Sequence, residues 1–233
     1  MIVFDGVSID SVAPVSIEDI KVSPIGYNPI VRPRAIRFGA EFVRMGGNER
    51  TVTISFAMLE NDMNKRQEGF INIAKWAKSD AEYMLELPFD PVKCLYCVCT
   101  AKPEPSARAW WENKLRLTFT CYDNPYWTSK GEKSVSCGTA FNVLGDAPPL
   151  MRIERTVSGS AATNQTYSNS AESMTFSTIP IGDMVIDLNR QTAAVGSSSI
   201  MEYYQPSGSF IVPKIGTQTI SGTGTVKYRE RWQ

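Results

Sequence analysis

Five cysteines are the first residues whose types and spacing invite a chemistry. Cys94, Cys97 and Cys99 fall within Cys94-Leu95-Tyr96-Cys97-Val98-Cys99, with Cys121 and Cys137 further on. Thiolates at such spacing hold zinc when four ligands converge on a tetrahedron. In an extended chain, however, Cys97 and Cys99 share one face and Cys94 takes the other. No second C-x-x-C follows, and the chain contains no histidine. Free thiols in apolar surroundings remain as the reading. Their odd number, behind a start (Met1-Ile2-Val3-Phe4-Asp5) without basic residues or a long apolar run, implies no secretory signal and synthesis in a reducing cytosol.

The absence of histidine removes Ser-His-Asp and Cys-His nucleophile pairs, the commonest general base and every His-containing zinc site. Asp183 and Asp187 share a strand face, but at strand rise about 13 Å separates them, beyond the span of a glycosidase carboxylate pair. Gly222-Thr223-Gly224 lacks the lysine and helix of a phosphate cradle. Asn164-Gln165-Thr166 fits a glycosylation sequon, which means little without secretion. The chain is therefore expected not to be an enzyme, with no catalytic, metal or cofactor-binding residues.

Charge narrows the partners. The 233 residues carry 24 basic and 24 acidic side chains. Of these, 15 basic and 16 acidic fall in 1–129, and 9 and 8 in 130–233. Neither half has the basic excess of a nucleic-acid binder. No stretch approaches 18 apolar residues, so no membrane-spanning helix is expected. Arg32, Arg34 and Arg37 recur at near-regular spacing, with Arg44 beyond. A solvated strand edge accounts for them; the sharper reading is a basic face meeting a carboxylate-bearing neighbouring subunit. Of the adjacent Trp110 and Trp111, which project to opposite faces of a strand, one belongs to the core and the other is a candidate subunit contact.

These residues need elements to position them. Lys114, Arg116, Thr118 and Thr120 alternate with Leu115, Leu117, Phe119 and Cys121, a period of two that marks a half-buried strand. Tyr122-Asp123-Asn124-Pro125 ends it, and Thr128-Ser129-Lys130-Gly131 is a polar break. Gly46-Gly47-Asn48 reads as a turn between Ala40–Met45 and Arg50–Leu59, making a hairpin, with 32–50 a long arm leaving the body. One amphipathic helix is expected over 62–79. Asn61 or Asp62 caps it, Met63, Phe70, Ile73, Ala74 and Ala77 form its packing stripe, and Gly69 weakens its middle. Past the break only strand signals remain. Gly159–Ser173, polar and aperiodic, reads as a loop or hairpin tip. Thr219–Ser221 and Thr225–Arg231 read as a last strand pair. Many short strands at spacings near ten residues argue for an antiparallel sandwich. The fold class is mainly β, with domains over 1–129, carrying the helix and the arm, and 130–233.

The order of elements resembles the distal tail protein (Dit) family of long-tailed, non-contractile phages. Phe4-Asp5-Gly6-Val7-Ser8 is similar to the family's opening F-x-G-x-S strand. The helix with Trp76, then Leu85–Pro91 and Val92–Thr100, look like its central helix and following strands, leading into Phe119–Trp127. Val185-Ile186-Asp187-Leu188, Ser207-Gly208-Ser209-Phe210, Gly216 and Arg231-Trp232 are similar to its C-terminal sandwich. The resemblance implies an N-terminal β domain and a galectin-like C-terminal sandwich. It also implies a homohexameric ring at the virion tail tip, joining the tail tube protein to the tail-associated hub protein and supporting receptor-binding proteins, with DNA passing through without specific binding. Gly159–Ser173 departs from the family pattern. The competing expectation is a carbohydrate-binding module in which Tyr203, Tyr204 and Trp232 stack a cell-wall sugar.

Overall fold

The computed structural model describes residues 1–33, 40–101, 113–205 and 208–233, with the backbone alone for 27–33, 40–48 and 101. The chain folds into two compact units, Met1–Trp127 with Gln233, and Thr128–Trp232.

In the first unit, β1 (Val3–Phe4) and β2 (Val7–Ser8) form a tight hairpin. Asp5 and Gly6 both take positive φ, 50° and 74°, as a two-residue turn matched to strand twist requires. β3 (Val15–Val22), β4 (Gly26–Pro33) and β5 (Ala40–Met58) follow, then α1 (Met63–Trp76), β6 (Tyr83–Glu86), β7 (Lys93–Ala101) and β8 (Lys114–Cys121). The body sheet is antiparallel throughout, in the order β2-β1-β6-β7-β8-β5-β3. It curls until Phe4 on β1 meets Phe119 on β8, with ring centroids 5.1 Å apart. The alternation of 114–121 holds, with Leu115, Leu117, Phe119 and Cys121 all buried. Thr120, on the other face, is buried as well and meets Thr100 hydroxyl to hydroxyl at 2.9 Å.

Asp62 caps α1, its Oδ1 accepting the N–H groups of Asn64 (2.8 Å) and Lys65 (3.1 Å). The helix is shorter than the expected 62–79, ending at Trp76, whose Nε1–H donates to Val7 O (2.9 Å). Phe70, Ile73 and Ala77 form the packing face, but Met63 is exposed, because the first turn overhangs the core. Gly69 lies on that face too: a Cβ there would strike the thioether end of Met58, so the glycine lets β5 approach the helix. The backbone N–H bonds hold the Asp62 carboxyl below its ordinary value of 3.8. Its stabilisation is thus complete above that value and lost as pH falls through the lower folded value. The far-UV helix signal is expected to weaken with acid in the native chain, and to lose that component in Asp62→Asn.

Two expectations are corrected in this unit. Gly46-Gly47-Asn48 is no turn, because β5 runs through it. Tyr27 pairs with Asn48 and Asn28 with Gly46, so Gly47 is the extra residue of a bulge. The hairpin instead joins β4 to β5, its connection lying outside the described residues.

The second unit begins within β9 (Trp127–Ser129) and continues through β10 (Lys133–Ser136), β11 (Ala140–Val143), β12 (Ala147–Val157), β13 (Ala162–Ser168), β14 (Ser173–Ile179), β15 (Gly182–Asp187) and β16 (Thr192–Val195). β17 (Ser198–Ser199), β18 (Tyr204–Gln205), β19 (Gly216–Thr219) and β20 (Thr225–Trp232) complete it. One sheet runs β17-β16-β15-β12-β20-β10; β13-β14-β18 and β11-β19 form smaller ones. All contribute to one core, with Ile153, Ile186 and Val226 from the large sheet against Tyr167, Met174 and Phe176 from β13 and β14. The unit is an antiparallel sandwich.

Gly159–Ser173 is not a loop throughout: it holds β13, paired antiparallel with β14, and the hairpin tip is confined to the short turn between the two strands. Thr166 and Thr175 meet hydroxyl to hydroxyl across the pair, and Tyr167 is fully buried. The expected last pair is also corrected, since β19 pairs with β11, and β20 lies between β12 and β10. Gly222, at φ 135°, lies against the Tyr167 ring, whose hydroxyl donates to Thr223 O (3.1 Å). Gly222→Ala is expected to cost about 1–3 kcal/mol in backbone strain alone, read by urea unfolding. A cost below experimental error would mean that the backbone there relaxes freely.

Candidate assembly surface

The element that leaves the first unit's body is built from β4 and the first half of β5. Residues 50–57 of β5 pair with β8, and 52–58 pair with β3. Residues 40–49 pair only with β4, from Gly26↔Glu49 to Pro33↔Ala40. Ser23 marks the change of partner: its N–H donates to Thr51 O (2.8 Å), and its Oγ accepts the Thr51 N–H (2.8 Å). Among the described residues, then, the arm is a two-stranded ribbon. Ten residues of β5 extend roughly 30 Å at strand rise, with one edge paired and the other open. Pro29 and Pro33 lie on β4, and proline in a strand is confined to edges because it has no N–H to donate.

The root of the arm is anchored by stacking. Arg50, paired with Cys121 on β8, is buried at 4% exposure. Its guanidinium lies over the Trp127 ring, 5.8 Å from the centroid, and Phe89 meets the same indole edge-on at 6.0 Å. Phe89 remains 58% exposed and Val92, at the end of the same β6–β7 connection, 63%. Glu82 fixes the exit of β8, accepting the N–H groups of Tyr122 (2.5 Å) and Asp123 (3.0 Å). Phe89 and Val92 were not signalled by the sequence reading. Pro88-Phe89-Asp90-Pro91 reads as a turn, and nothing in a turn signal says that its apolar residues stay in solvent.

Of the candidate contact residues, Arg32 lies on β4 opposite Glu41, and Arg44 on β5 opposite Ile30. Arg34, Arg37, Trp110 and Trp111 lie outside the described residues. Of the candidate sugar-stacking residues, Tyr204 lies on β18, Tyr203 directly before it and Trp232 at the end of β20. Tyr204 packs against Phe176 (5.8 Å between centroids) and Phe210 (5.2 Å), and its hydroxyl donates to Gly208 O (3.0 Å). Tyr203 and Trp232 are half-buried, Tyr203 against the core.

Cys94, Cys97, Cys99 and Cys121 are buried thiols, and Cys137 is half-buried. Among the described residues no group of three or more Cys, Asp or Glu is placed to hold a metal, and no helix is long and apolar enough to cross a membrane. Asp183 accepts from Thr156 Oγ1 (2.6 Å), whereas Asp187 caps the turn after β15 through the N–H groups of Asn189 and Arg190 (both 3.0 Å). On the large sheet of the second unit, Glu154 accepts from Arg152 (2.6 Å) and Lys227 (2.7 Å), while Glu132 takes Arg152 (2.7 Å). Hydrogen bonds from Lys227 and Arg152 hold the Glu154 carboxyl below its ordinary value. Every member of this cluster is matched by an opposite charge. Glu230 is the exception to the polar-out rule. It is 4% exposed, faces inward beside Tyr228, and is held by Lys133 Nζ (2.7 Å) and the Leu144 N–H (3.0 Å).

These features define a class: a mainly antiparallel β protein of two units, the first carrying one described helix and a projecting hairpin. The crystal structure of the Dit protein of phage SPP1, presented as a paradigm of the hub adsorption apparatus in phages infecting Gram-positive bacteria, has this fold. It aligns over 100% of this chain and 98% of its own, with a TM-score of 0.73 and 14% sequence identity. Two structures of the phage P2 baseplate in its activated conformation, with Ca and with Sr, align over 94% of this chain and 91% of theirs. Their identity is 7% and their TM-scores are 0.46 and 0.48, too low to carry weight here. No family model and no curated protein matches the sequence.

Proposed function

We propose that the chain is a structural component of a phage tail tip, a distal tail protein. In this reading six copies close into a ring that joins the tail tube to the hub and supports the adsorption proteins, and the protein carries out no catalysis. One observation carries the reading: the fold matches that of the SPP1 Dit protein over essentially the full length of both chains. The neutral charge balance fits a ring through which DNA passes unbound. The arm supports a head-to-tail contact, because a ribbon with an open edge on one side of the subunit needs a different surface on its neighbour. Heterologous contacts of that kind close into rings when the rotation allows. A galectin-like character for the second unit belongs to the same proposal.

The test is mass in solution by light scattering at high concentration, with negative-stain images of the same sample. Closed sixfold rings are the expected result. A strict monomer that also fails to form rings when mixed with the hub protein of its own phage would overturn it.

A further inference from the structure

Two of the buried thiols, Cys97 and Cys121, are placed for a chemistry of their own. β7 and β8 are antiparallel, with Cys99 opposite Phe119 and Val98 opposite Thr120. One residue further along the same register, Cys97 faces Cys121. The backbone N–H of Cys99 donates to Ser79 Oγ (3.1 Å), away from β8. Cys99–Phe119 is therefore a non-hydrogen-bonded pair, Val98–Thr120 a hydrogen-bonded one, and Cys97–Cys121 non-hydrogen-bonded again. Such pairs bring Cα atoms to about 4.5 Å with side chains on one face. A disulfide needs Cα atoms roughly 4.4–6.8 Å apart. Both side chains lie in the same core cluster, fully buried, and the two thiols are in hydrogen-bonding contact.

We propose that Cys97 and Cys121 are a latent cross-strand disulfide, reduced when the chain folds and closed by peroxide once the protein leaves a reducing compartment. In the closing step one thiol gives up its proton and its sulfur takes an oxygen from hydrogen peroxide, releasing water. The second sulfur then attacks that sulfenic acid. The S–O bond breaks as S–S forms, and a second water departs, carrying the oxygen and the last thiol proton. Two electrons pass from the sulfurs to the peroxide. Burial pushes the Cys97 thiol up, the contact with Cys121 adding to it, so thiolate is scarce and closure is slow. The link would join the two strands directly under the anchored end of the arm, since Cys121 pairs with Arg50.

The other cysteines set the selectivity. Cys94 lies on the opposite strand face, Cys99 opposes a phenylalanine, and Cys137 is in the second unit. The test is to oxidise the purified protein with hydrogen peroxide, denature it, alkylate the remaining thiols and map peptides without reduction. The expected result is a peptide linked between Cys97 and Cys121, reversed by dithiothreitol, with Cys94 and Cys99 alkylated. Half-buried Cys137 reports that oxidant was delivered. The thermal midpoint is expected to rise on oxidation in the native chain and to stay unchanged in Cys121→Ala. Recovery of Cys97 and Cys121 both alkylated after Cys137 has oxidised would overturn the proposal, as would a link to Cys99 instead.

Discussion

Phe119→Ala is expected to destabilise the first unit by about 3–5 kcal/mol, the cost of truncating a fully buried aromatic ring. Four elements, β5, β7, β1 and α1, converge on this side chain. It sits on β8 between Val52 of β5 and Cys99 of β7, and is fully buried. Its ring meets Phe4 at 5.1 Å and Trp76 at 6.3 Å, so one truncation opens the contact that ties β1 and β8 to the helix. Aromatic pairs add roughly 0.5–1.5 kcal/mol each beyond the area they bury. Small domains have only about 5–15 kcal/mol in total, so the variant should unfold in urea well before the native chain, with near-native slope. Phe119→Leu, which keeps most of the volume, should lose much less. Tyr122→Ala, three residues on and exposed, should change stability within about 0.5 kcal/mol, because Glu82 binds the backbone there and not the phenol. A loss below about 1 kcal/mol for Phe119→Ala would mean that the core around it collapses to fill the space.

That strand was legible because its information is local: a period of two over eight residues admits one face and one partner layer. The helix was legible for the same reason, with Asp62 and the Phe70–Ile73–Ala77 spacing fixing its start and its face. What the sequence concealed was non-local. Gly46-Gly47-Asn48 has the composition of a turn, and only pairing with Tyr27 and Asn28 converts it to a bulge. β13 carries only Ala162 and Tyr167 as apolar residues among threonine, asparagine, glutamine and serine, and its apolar partners Met174, Phe176 and Ile179 all come from β14, so no alternation of apolar residues announces it. β19 lies just before the Gly222-Thr223-Gly224 turn signal and β20, yet it pairs with the distant β11, from Ala140↔Thr219 to Val143↔Gly216. Glu230 occupies an inward position that periodicity assigns correctly and chemistry disfavours, and its distant partners, Lys133 and the Leu144 N–H, make it tolerable. The same limit applies to contact surfaces. The hairpin signal implies an arm over 32–50, and the backbone pairing of β4 with β5 supplies one. The exposed Phe89 and Val92 at its root carry no sequence signal, because burial is decided by elements remote in the chain.

Removing the arm is expected to abolish ring assembly outright while leaving the first unit folded. Joining Tyr27 to Asn48 through Asn-Gly, in place of residues 28–47, puts a two-residue turn between partners already paired in the native ribbon. Pairing of β5 with β8 and β3 begins at Arg50 and Val52, so none of it is touched. The deleted strands bond only to each other among the described residues, so thermal stability and the helix signal should change little. Association behaves differently. A stable subunit contact needs on the order of 1,000 Å², and a two-stranded ribbon of about 30 Å with open outer edges is the element that reaches far enough from the body to supply it. An open edge must also be covered by something, since unpaired strand edges are aggregation-prone. In the proposed ring the neighbour would cover it, and without the arm there would be nothing to cover. Light scattering should then show monomers at concentrations where the native chain forms rings. Arg50 must be kept: it is locked over Trp127 at the root and serves the fold rather than the contact. Rings persisting after this excision would move the interface elsewhere, with the exposed Phe89–Val92 knuckle the first surface to test by Phe89→Asp. Loss of the helix signal would instead show that the arm is needed to fold the body, a result the pairing pattern does not predict.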